Sequence, residues 1–273
     1  TTAGDFCEHL RGIDTTVPLT YERSWVPNDP FYSNEWHLDN STGAPEVNAS
    51  AAWARGLTGQ GVTIGIVDDG VEALHPDLIA NFDMSLSWDF GEGNNDPSPL
   101  YDNSTDGTNY YSGDRHGTSV AGVAAGRGGN SLGVTGAAPE ATIAGLRCDF
   151  YGQSVNPDQF TDATLFNSLA TTPEDDFIKI KNHSYGYSSP YVYQSGDADQ
   201  LDAFELTTAN GTIHVVAAGN EARDANKDVQ ANSPETITVA ALGQNGVYSY
   251  YSNFGACVTV TAPSNGGGLG ITT

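Results

Sequence analysis

Positive charge is scarce in this sequence. Lys and Arg number 10 against 34 Asp and Glu, a formal net charge of −24 over 273 residues. A surface that acidic repels phosphate backbones and anionic lipid, which argues against nucleic-acid and membrane-surface roles and favours metal ions or basic substrates. Cysteine is scarce too: Cys7, Cys148 and Cys257 lie far apart. They form neither a zinc set nor a disulfide framework, and at most one internal bridge is available to them. No run of eighteen apolar residues occurs, so no transmembrane helix is expected. There is no internal repeat and no low-complexity tract. No charged-then-apolar leader follows Thr1, so any signal peptide is expected to be gone already.

What is present suits a globular domain. Area scaling for this mass allows roughly 73% of the unfolded surface to be buried, enough for a core without staples. Residues 1–50 are punctuated by Pro18, Pro27, Pro30 and Pro45 and read as an irregular arm wrapping the domain formed by 51–273. From Gly61 onward short, β-branched apolar runs recur at 62–67, 143–146, 178–180, 213–217, 237–241 and 258–262. Runs of that length suit strands buried on both faces. Helix-like stretches at 117–125, 160–169 and 201–209 alternate with them. The expected fold is a three-layer α/β domain, a mostly parallel central sheet flanked by helices on both faces. In such sheets ligands bind outside the carboxyl ends of the strands. Polar residues gather there: Asp68 after the first run, Asn182 and Ser184 after the third, Asn220 after the fourth.

Taken singly these residues have ordinary explanations. Asp68 suits a turn, His116 a helix start, Asn220 a strand mouth. Taken in order, Asp68, His116 and Asn220 form a set that catalysis can use. A carboxylate orients an imidazole, the imidazole takes a proton from a nucleophile, and an amide holds an oxyanion.

The motifs that carry them are Gly65-Ile66-Val67-Asp68-Asp69-Gly70 with His75-Pro76-Asp77-Leu78, then His116-Gly117-Thr118-Ser119-Val120-Ala121-Gly122, then Ala217-Ala218-Gly219-Asn220. They resemble the subtilisin-type serine proteases, and the doubled Asp68-Asp69 with the stretch 36–78 resembles the kexin and furin branch. The resemblance implies Asp68 as orienting carboxylate, His116 as general base and then acid, and Asn220 as oxyanion donor. It also implies that Ser184, Tyr185 and Gly186 pair with an extended peptide, with Asp69 and Asp228 receiving basic side chains. Ser189 and Leu165 stand where that branch places carboxylates. The expectation is therefore a preference for Arg or Lys rather than strict dibasic selection. The family's nucleophile lies in a Gly-Thr-Ser segment beyond the Asn, and no such segment follows Asn220 here. The expected partner is a second polypeptide fragment carrying that serine, after cleavage near Thr273, where the Gly-rich stretch from Gly266 ends. Peptides or proteins are the expected substrates.

The surplus of carboxylates and the lack of a Cys/His cluster favour a hard cation, Ca²⁺. The resemblance implies a site from Asp29, Asp77 and the Asn130 amide with main-chain carbonyls near Arg127, Leu132 and Val134. A second candidate pairs Asp89 with Asp96, and a third would involve Ser189 and Asn253, neither of which carries charge. The stretch 102–107 imitates the start of an EF-hand loop, but its twelfth position is Gly113, so it reads as a turn. Calcium and the resemblance together imply an extracellular or periplasmic location. Two other readings compete: an inactive relative serving as a calcium-stabilised peptide-binding scaffold, and an unrelated doubly wound metal-binding protein. Retention of Asp68, His116 and Asn220 counts against both.

Overall fold

Strand β1, Thr63–Asp68, lies in the interior of the sheet, with every residue after Thr63 buried. β3 (Thr142–Arg147) runs parallel on one side of it and β4 (Ile180–His183) on the other. With β2 (Trp88–Asp89), β5 (Ile213–Ala217), β6 (Thr236–Leu242) and β7 (Val258–Pro263) they form a seven-stranded parallel sheet, ordered β2-β3-β1-β4-β5-β6-β7. In this computed structural model the described residues are 25–38, 43–100, 115–150, 156, 158–169, 177–186 and 197–273. Most of the proposed arm, Cys7, the 102–107 stretch and Ser189 lie outside them.

Among the described residues four α-helices accompany the strands: α1 (Ala49–Trp53), α2 (His116–Ala125), α3 (Gln159–Leu165) and α4 (Asp197–Ala209). One core joins Ile64 and Ile66 of β1 to Ala121 and Ala125 of α2. On the opposite face Val67, Leu146 and Ile178 pack with Ala163 of α3. α4 covers β5 on that second face, where the Phe204 ring meets His214 edge-on at 4.8 Å. The three layers expected from the alternation of strands and helices are present over β1, β3 and β4. From Trp25 to Leu38 the chain lies over the domain: Trp25 meets Trp53 edge-on at 5.2 Å, and Phe31 N–H donates to Gly133 O. Helix α1 spans the position expected to separate arm from domain.

The far half of the sheet is different. Ile213 is 44% exposed, Ile237 38% and Val260 49%. Parallel registry places Val215 opposite Ile237, and Ala217 opposite Val239, on that same face. It is also the face of Asn182, the partner of Val215 in β4. Parallel sheets are normally covered on both sides. Among the described residues nothing covers this apolar face, and it adjoins the carboxyl ends of β1, β4 and β5.

Cys148 and Cys257 are both free thiols.

Candidate active site

The chain order reverses around β1, with β3 to one side and β4 to the other, so a crevice opens at the carboxyl end of β1. Asp68 ends that strand and is 2% exposed. Its two carboxylate oxygens lie 2.8 and 2.9 Å from His116 Nδ1, and Oδ1 also accepts the Asp69 N–H. His116 opens α2, and its side chain is 58% exposed. Asp68 therefore fixes the proton on Nδ1 and leaves Nε2 bare toward the crevice. The hydrogen bond to Asp68, together with the charges of Asp68 and Asp69, raises the His116 pKa above 6.5, against the effect of burial.

The backbone allows this contact because Gly117 has no side chain. A Cβ there would lie 2.3 Å from Gly70 O and 2.9 Å from Asp68 Cβ. Helix α2 has no side-chain cap of its own at Arg115. Asp69 supplies one from β1: Oδ2 accepts the His116 N–H and Oδ1 the Gly117 N–H, at 3.1 and 2.7 Å. Burial raises the Asp69 pKa, while these two bonds lower it. The sequence reading assigned Asp69 to substrate. The structure engages both its oxygens in holding the helix that presents His116.

Asn220 lies at the mouth of β5 and lines, with His116, Asn182, Ser184 and Tyr251, one cavity of about 300 Å³. Gly219 turns the chain into this position with φ +102°, and a Cβ there would strike Asn253 Nδ2 at 2.2 Å. Asn253, 1% exposed, holds the turn: its Oδ1 accepts the N–H groups of Glu221 and Arg223, and its own N–H donates to Gly219 O. That occupation is at odds with a ligand role for Asn253. Its bracing function leaves no sequence signal, since it rests on one amide at no fixed spacing. Val215 and Ala217 of β5 and Val239 and Ala241 of β6 give the wall an apolar part continuous with the uncovered sheet face, and Ser252 and Ser264 add hydroxyls.

Ser184 lines the cavity and accepts a 2.6 Å bond from Asn182 Nδ2. Tyr185 points to the other face, 4.7 Å from the Phe160 ring. A Cβ on Gly186 would lie 3.7 Å from Asp228 Oδ2. Asp228 Oδ1 accepts the N–H groups of Gln230 and Ala231, so Oδ2 is the oxygen turned toward residue 186. Burial raises the Asp228 pKa, opposed by those hydrogen bonds. Segment 184–186 thus runs from the cavity wall at Ser184 to the neighbourhood of Asp228 at Gly186.

The expected cation residues also converge in part. Asp29 Oδ2 accepts from Gly129 N–H and Thr135 Oγ1, and Asp77 Oδ2 accepts from Val134 N–H. Asn130 Nδ2 donates to Asp77 Oδ1, and the Arg127 N–H donates to Asp77 O. The Asn130 carbonyl accepts the Leu132 N–H instead of facing the carboxylates, so a cation would require that amide to turn over. Nearby Glu35 has one buried oxygen, Oε1, without a hydrogen bond, and its pKa is pushed up to about 8 by burial and by Asp29 and Asp77. Surplus buried negative charge and oxygen donors fit a hard cation. No group of three or more His, Cys, Asp or Glu side chains poised for a metal occurs among the described residues. The expected set uses only two carboxylates, so it falls outside that class. Asp89 and Asp96 have separate partners. Asp89 forms a buried 2.8 Å ion pair with Arg147, whereas the exposed Asp96 accepts the Ser98 N–H. A cation there would have to displace the Arg147 pair.

Comparison with known proteins agrees with this geometry. Residues 59–272 match the model of the subtilase family. Human proprotein convertase subtilisin/kexin type 6 is 34% identical over 252 residues, 88% of this chain and 24% of that protein. Human furin is 32% identical over 249 residues, again 88% of this chain and 29% of furin. The chain thus spans about a quarter of the length of these relatives. Among solved structures, a protease of Pseudoalteromonas arctica superposes with a TM-score of 0.71 at 25% identity, covering 91% of this chain and 79% of that one. The serine protease of Aeromonas sobria gives 0.71 at 25% identity, covering 93% of this chain and 46% of that one.

Proposed function

Because this chain belongs to the subtilase family, we propose that it forms the Asp-His part of a calcium-dependent serine endopeptidase whose nucleophile lies outside these 273 residues. The observation that carries the reading is the contact of 2.8 Å from His116 Nδ1 to Asp68, opening onto a cavity that Asn220 shares. His116 Nε2 takes the proton of a serine hydroxyl as it attacks the peptide carbonyl. The imidazolium formed is held by Asp68, and the proton passes to the leaving amine. Asn220 donates to the oxyanion. Water then repeats the sequence to release the acyl group.

The uncovered apolar face of β5 and β6 supports docking of the missing segment. A helix laid there would bury Val215 and Val239 and bring its end beside His116. That segment belongs to a second polypeptide fragment. Residues 184–186 pair with the substrate backbone, and Asp228 Oδ2 receives Arg or Lys before the cut. Asp29, Asp77 and, once its amide turns over, Asn130 would hold Ca²⁺, which would tie the 25–38 segment to the loop after α2. No helix among the described residues is long and apolar enough to cross a membrane. An extracellular or periplasmic location goes with the calcium requirement.

Hydrolysis of a peptide panel by the protein purified with every polypeptide that accompanies it tests the reading. Cleavage after Arg or Lys, lost with His116→Ala, is expected. Equal cleavage after apolar residues refutes the basic preference. Undiminished cleavage by His116→Ala refutes the mechanism.

A further inference from the structure

Behind the substrate segment, on the face away from His116, two buried histidines touch. His183 of β4 and His214 of β5 are both 0% exposed, with His183 Nε2 3.0 Å from His214 Nδ1. The direction of the chain they belong to can be worked out from its end. Thr207 Oγ1 has one hydrogen, donated to Ala203 O at 2.6 Å. It must therefore accept from His214 Nε2–H, 2.7 Å away. His214 Nδ1 is then bare and accepts from His183 Nε2–H. His183 Nδ1 is bare in turn and accepts from the Tyr185 hydroxyl at 3.0 Å. Tyr185 accepts from Gln200 Nε2 at 3.0 Å, and Gln200 Oε1 accepts from Gln230 Nε2 at 2.8 Å. Every donor faces an acceptor, and reversing either histidine would place two hydrogens or two lone pairs face to face.

The two ends of this chain matter for the crevice. Tyr185 lies between Ser184 and Gly186, and the Gln230 N–H donates to Asp228 Oδ1. On the proposed protease reading, we infer that His183, Gln200 and Gln230 are positioning residues: they hold the substrate segment and the Asp228 loop at a fixed separation. They thereby set the fit of a basic side chain at the first position before the cut. Burial keeps both imidazoles neutral. It lowers His183 well below 6.5, helped by His214 and Lys181, and lowers His214 to about 3, helped by Lys181. Lys181 itself is buried, with Nζ within 2.7 Å of the carbonyls of Ala163, Thr164 and Phe166.

The test has two arms, both on the complete protein. Long-range ¹⁵N–¹H spectra at neutral pH should show His183 and His214 protonated on Nε2. A hydrogen on Nδ1 of either overturns the chain. Gln200→Met keeps the volume but removes both hydrogen bonds. It should raise KM for an Arg peptide by about fivefold, the worth of one neutral hydrogen bond, with kcat within about twofold. It should also narrow the preference for Arg over Ala at that position. Gln230→Met should do the same and serves if Gln200→Met does not fold. Unchanged KM and preference in a folded variant overturn the inference. Wild-type protein that cleaves no peptide instead sinks the protease reading, and the spectra still decide the chain.

Discussion

His116 owes its basicity to Asp68, and this determines the acid limb of activity. The raised pKa means that the imidazole stays protonated, and useless as a base, to a pH above its ordinary 6.5. We predict that kcat/KM of the complete enzyme falls with acid through a midpoint above 6.5. Asp68→Asn should move that midpoint down and lower kcat by about 10⁴, the scale measured for the same change in the triad of chymotrypsin-type proteases. Asn220→Ala should lower kcat by about 10²–10³ with little change in KM, on the subtilisin scale. Stopped-flow or steady-state kinetics across pH reads all three. These residues were legible in the sequence because each sits in a motif and the motifs come in order. Asn253 and Gln230 were not. Each braces a loop with one buried amide, and an amide in a loop is ordinary wherever it falls.

At the scale of elements, Asp69 is the residue to change. Its carboxylate caps α2 from a neighbouring strand, so Asp69→Ala should cost about 0.5–2 kcal/mol, read as a lower Tm. The same variant should lower kcat, because the first turn of α2 carries His116. The alternation of apolar runs located β1, β3, β5, β6 and β7 within a residue or so. It displaced β4, expected at 178–180 and found at Ile180–His183. The reason is physical: Lys181 and His183 are polar yet 0% exposed, their burial made tolerable by carbonyl and imidazole partners. A scan for hydrophobic runs cannot anticipate partners that come from α3, α4 and β5. The third helix also ended early, at Leu165 rather than 169, and Asn167 takes φ +48° just beyond.

At the scale of the molecule, the far half of the sheet is the informative departure. The sequence pattern implied helices on both faces, and the run lengths gave no warning that Ile213, Ile237 and Val260 would have one face open. The proposed cation site belongs to this scale too, since Asp29 of the 25–38 segment accepts from Gly129 and Thr135 in the loop that Asp77 also holds. Excess chelator should lower Tm, and Asp77→Asn should abolish that response. For a site held at a hundredfold excess over Kd the loss is about 2.7 kcal/mol. An unchanged Tm in chelator refutes structural calcium.

On the proposed reading the Asp68–His116 pair activates a serine hydroxyl supplied by a second polypeptide. Fluorophosphonate labelling of the complete protein, with mass mapping of every polypeptide present, tests that most directly. A single labelled serine on a companion polypeptide is expected, with labelling lost in His116→Ala. A label within these residues, or none on an intact preparation, contradicts it.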